Sequence, residues 1–159
     1  MDSSLILPFL SRLVHIGTAV VLVGGTVFMR LVVIPSLTAD SDELIGRIRN
    51  RWKRFVHGGI LLFLISGFYN YFTMMPKHEG DGLYHALVGT KILLALFVFF
   101  LASVLVGRST GTQKFRDQAG KWTGVLLVIA ALIIGISSFV KVRPYEVRTD
   151  AEVHQSEID

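Results

Sequence analysis

The chain has 159 residues, of which 52% are hydrophobic and only 18% charged, with a mean hydropathy of +0.57. A soluble domain carries about 25% charged residues, so this composition excludes an ordinary soluble enzyme and a disordered chain, and the length holds one domain rather than two. There is no cysteine, which excludes disulfides, thiolate metal sites and covalent c-type haem attachment.

Four stretches, about 13–34, 55–75, 83–106 and 122–140, are apolar almost throughout. Each is long enough to cross roughly 30 Å of hydrocarbon at 1.5 Å per residue. The runs are continuous and do not alternate with a period of two, which predicts helices rather than barrel strands. The expected fold is therefore all-α, a polytopic bundle of four transmembrane helices over 1–143 followed by a polar tail, 144–159.

Arg12 sits directly against a first stretch that is longer than the h-region of a signal peptide, so that stretch stays as a helix. Between the first two spans, Thr38 to Asn50 reads as a short interfacial helix. Asp40, Asp42 and Glu43 stand at its start and arginines at its end, as the helix dipole favours. Basic residues crowd into the first and third connections, at Arg47, Arg49, Arg51, Lys53 and Arg54, then Arg108, Lys114, Arg116 and Lys121. They outnumber Arg12, Lys77, Lys141, Arg143 and Arg148 at the other end, which predicts both termini outside the cytoplasm and suits a bacterial inner membrane. The net charge of +4 is accounted for by those loops, without a nucleic-acid partner. Trp52 and Trp122 on one side, and Tyr69, Asn70 and Tyr71 on the other, read as interfacial belts.

An offset of 70 aligns Leu13-Val14-His15 with Leu83-Tyr84-His85, and Arg51-Trp52 with Lys121-Trp122. Two parallel hairpins related by an axis along the membrane normal would produce it. His15 and His85 are then expected at equal depth near the outer face. Gly89, one turn below His85, leaves room for something bulky. Two such imidazoles can ligate a b-type haem, bind another metal ion, or simply hydrogen-bond neighbouring groups.

Lys91 lies about 9 Å of helix rise below His85. No acidic residue occurs in the four stretches, so its partners would be a haem propionate, a quinone oxygen, a carbonyl or water. A snorkelling lysine is the plainer alternative. His57 opens the second span beside Arg54 and reads as an interfacial histidine. Met74, Met75 and His78 cluster in the outer loop, and thioethers with imidazole suit copper. Gly120–Gly124 and Ala131–Gly135 are small-residue pairs that permit close helix contact, within the bundle or in a homodimer or membrane complex.

His15, Gly24-Gly25, Phe28 and Ile34-Pro35 resemble the first helix of the CopD-type copper-resistance membrane domain. Arg51-Trp52-Lys53-Arg54 leading to Ser66-Gly67-Phe68-Tyr69-Asn70 resembles its second helix, and Gly89-Thr90-Lys91 its third. The likeness spans roughly residues 10 to 105 and implies copper handling, with His15, His85 and the Met74, Met75 and His78 group as ligands. The chain is also similar to HemJ-type protoporphyrinogen oxidases, whose members bind haem b. That resemblance implies roles for His15 and Lys91. The function expected from these readings is b-haem-binding membrane electron transfer, with His15 and His85 as axial ligands, Lys91 and Gly89 beside the cofactor and a quinone or redox protein as partner. Copper handling and a non-catalytic scaffold subunit are the alternatives.

Overall fold

The computed structural model describes residues 3–38, 42–78 and 80–142, so the polar tail expected at 144–159 lies outside the described residues. Five helices occur among them: α1 (Ser3–Phe28), α2 (Asp42–Met74), α3 (Gly82–Val106), a short α4 (Gln113–Asp117) and α5 (Ala119–Val142). Every helix but α4 is long and apolar enough to cross a membrane, and each overlaps one predicted span. The chain is an all-α integral membrane bundle. A backbone that satisfies its own hydrogen bonds is what a segment without water requires.

Burial is inverted relative to a soluble domain. Leu5, Phe9, Ile16, Leu61, Phe72, Leu93, Leu132 and Phe139 all face outward, whereas among the described residues Leu101 is the one large side chain that is fully enclosed. Exposed apolar surface on this scale marks contact with lipid. Side-chain hydroxyls inside the helices turn back onto their own backbone. Thr26 donates to the Leu22 carbonyl, Ser66 to Leu62, Thr73 to Tyr69, Thr90 to Ala86 and Ser137 to Ile133, which satisfies them without water.

In the bundle, α1 packs on α2, α2 on α3 and α3 on α5, with a thinner contact between α1 and α5. The end of α1 widens into a π turn over Met29–Val33, in which the Ile34 N–H reaches the Met29 carbonyl. Pro35 follows; having no N–H and clashing with the preceding turn, it ends the helix there. At the opposite end, Gly80 takes a φ of +81°, a backbone that glycine adopts without strain. The next residue, Asp81, is buried and caps α3 by accepting the Tyr84 N–H at 2.9 Å.

One element differs from expectation. The interfacial helix predicted from Thr38 to Asn50 is not separate, because α2 runs unbroken from Asp42 to Met74. Neither glycine nor proline occurs between Arg47 and Phe55, so nothing in that sequence stops a helix once it has begun.

Candidate functional site

Three glycines at the contact of α1 with α2 are seats for large side chains. A Cβ at Gly25 would run into the Trp52 indole, and one at Gly59 would stand 2.7 Å from a Leu22 methyl. Both contacts join α1 to α2. Trp52 is therefore half-buried between the two helices. A third seat, the second on α2, is Gly67, where a Cβ would lie 3.4 Å from Cε1 of His15.

His15 is half-buried and held by α2 on two sides. Its Nδ1 is 3.0 Å from the Ser66 hydroxyl, and Ser66 is itself buried, with its hydroxyl donating to the Leu62 carbonyl at 2.6 Å. The ring meets Phe63 edge-on, with centroids 4.5 Å apart, and Phe63 leans on Phe99 of α3 at 5.7 Å. A hydroxyl whose proton goes to Leu62 accepts at Nδ1, so that nitrogen carries the proton. Nε2 is then the basic nitrogen, and it makes no hydrogen bond among the described residues. Lys91, half-buried on α3, lies within electrostatic reach of this imidazole. One turn along α1, Arg12 donates to the Met74 sulfur at 3.5 Å.

His85 is elsewhere. It is exposed, and its ring partner is the adjacent Tyr84, edge-on at 5.5 Å. Tyr84 in turn stacks on His78 at 3.9 Å, near the α2–α3 connection. Among the described residues no ring contact joins His15 to His85; the α3 ring that reaches the His15 site does so through Phe63 and is Phe99. Phe99 lies about 21 Å of helix rise from His85. Gly89 has open space around it, so the glycine that makes room for an imidazole is Gly67.

The other candidate ligands lie at the end of α2 and in the turn that follows it. Met75 is exposed, Met74 faces Arg12 across α1, and the His78 Nδ1 lies 3.7 Å from an Asp81 carboxylate oxygen. Among the described residues, no three histidine, aspartate or glutamate side chains stand close enough together to hold a metal ion. His57 is exposed and its Nδ1 is 2.8 Å from the Lys53 carbonyl.

The two small-residue pairs of α5 also find their places. Gly120 gives its carbonyl to Arg30 of α1, and the Arg30 guanidinium covers Gly124, 3.3 Å from where a Cβ would be. That pair seats a cation. Ala131 and Gly135 line an open groove of about 530 Å³ between α3 and α5.

Sequence reasoning singled out His15 and Lys91, which lie within electrostatic reach of each other, but treated Ser66 and Gly67 only as packing and drew nothing from Phe63. A buried serine beside a glycine on the helix facing His15 was the available signal. Neither a family model, nor a curated protein, nor a solved structure matches this chain.

Proposed function

We propose that this protein is a membrane redox protein that holds a b-type haem through Nε2 of His15. The observation that carries the reading is the anchored imidazole. Axial and metal-bound histidines characteristically give their other ring nitrogen to a fixed partner, which sets the tautomer and the ring orientation, and Ser66 occupies that position here. A bare metal ion needs three or four protein ligands, whereas haem iron brings four nitrogens of its own and needs only one or two more. A single well-held histidine, with no group of three histidine, aspartate or glutamate side chains among the described residues, fits the second requirement better than the first.

When bound, haem supplies one-electron exchange; the residues of the chain do the rest. His15 ligates, Ser66 orients it, and Gly67 keeps the seat open. Lys91 and Arg12 bring positive charge to the same region, where haem carries two propionates. Phe63 and Phe99 help exclude water, which raises the weight of every charge nearby. A quinone or a redox protein is the electron partner in this reading. The positive-inside rule turns the basic end to the cytoplasm of a bacterial inner membrane, leaving His15 in the outer half.

The visible spectrum of detergent-purified protein tests this. A Soret band that shifts on dithionite reduction and is lost in His15→Ala supports the reading, while a preparation without haem absorbance overturns it. His85→Ala separates two forms of the proposal. Loss as complete as in His15→Ala favours two histidine ligands; retention favours ligation by His15 without His85, as the packing does.

A further inference from the structure

The basic end of the bundle contains a cavity that the haem reading leaves unused. It lies between α1, α2, α3 and α5, has a volume of about 140 Å³, and has apolar walls that include Ile48, Ala102 and Leu126. Arg30 and Arg49 also line it, and no acidic side chain among the described residues does. Arg30 is fixed over α5 by its bond to the Gly120 carbonyl, and a guanidinium has donors to spare after one such bond. Arg49 is exposed and makes no hydrogen bond or ion pair with any described residue.

The two parts of this site ask for different chemistry. Apolar walls forfeit dispersion contacts unless hydrocarbon fills the space, and two arginines lining one cavity, Arg49 making no ion pair with any described residue, favour an anion. Guanidinium groups suit phosphate in particular, because their N–H forks match its oxygens two at a time. Within a membrane, one class of molecule offers a phosphate beside an acyl chain. We propose that this cavity binds one anionic phospholipid, with its phosphate on Arg30 and Arg49 and the upper part of an acyl chain against Ile48, Ala102 and Leu126.

Native mass spectrometry of the purified full chain tests the proposal, with phosphatidylglycerol, phosphatidylcholine and inorganic phosphate offered separately. One phosphatidylglycerol per chain is expected to survive, with at least tenfold preference over phosphatidylcholine, and inorganic phosphate is expected not to. R49Q should lower retention at least tenfold. R47Q should leave it intact, because Arg47 reaches Glu43 at 3.9 Å outside the cavity. A102F keeps both charges but fills the slot, and should also lose the lipid. Equal retention of the two lipids, equal losses in R47Q and R49Q, or full retention in A102F would each overturn the proposal. Binding of inorganic phosphate as tightly as lipid would replace it with a soluble-anion site. Should A102F fail to fold, the comparison of R47Q with R49Q decides alone. Lipid mass is read independently of haem absorbance, so this inference and the haem reading can fail separately.

Discussion

The hairpin of α1 and α2 and that of α3 and α5 share a sequence offset, yet they treat their histidines differently. In the first, the ring of His15 is drawn between the helices, bonded to Ser66 and resting over Gly67. In the second, His85 stays exposed beside Tyr84. At the same offset from Gly67 stands Ser137, whose hydroxyl is spent on the Ile133 carbonyl of its own helix. A histidine in a bundle becomes an interior group only if the facing helix gives up volume and offers a polar partner. The first hairpin does both; the second has a side chain where the first has none.

The sharpest way to break this contrast is to fill the seat. Gly67→Leu places a branched side chain where His15 now lies, and overpacking of this kind costs about 1–3 kcal/mol. We expect more than tenfold loss of haem per protein together with a lowered melting temperature; unchanged haem content would show that Gly67 does not position the ring. Next in size is Ser66→Ala, which removes the partner of Nδ1 and leaves the volume almost unchanged. Loss of such an orienting group weakens ligation by about 10–100-fold, measured by haem titration, with the fold retained. Lys91→Gln removes a positive charge that favours the reduced, less positive cofactor. The midpoint potential should fall by roughly 20–60 mV, the scale of one partly screened charge, and potentiometry would reveal a rise or no change as a contradiction. Smallest of all is Ser137→Gly, which gives the second hairpin the first one's glycine. It should cost about 1 kcal/mol of helix stability, read by thermal unfolding, and leave the spectrum as it was.

The spans were legible in the sequence because membrane helices announce themselves by length and hydropathy, which are local. The ends of α3 were legible too, since Asp81 and Gly107 flank the apolar run. What could not be read was which side chains meet. The match of Leu13-Val14-His15 with Leu83-Tyr84-His85 pairs the two histidines in one dimension, but contacts between helices form where side chains find room. Here Gly25, Gly59 and Gly67 set the register of α1 on α2 by seating Trp52, Leu22 and His15. The same applies to Gly120 and Gly124. A GxxxG pair looks like a helix-contact motif in one dimension, and only the fold brings Arg30, ninety positions earlier in the chain, over it.

The most direct test of His15 as an iron ligand is chemical rescue. His15→Gly removes the imidazole while keeping Ser66, Gly67 and Lys91 in place, and the account predicts a purified variant without a Soret band that regains it when haem and free imidazole are supplied together. A variant that holds haem without added imidazole, with the spectrum of the unaltered protein, would contradict the assignment.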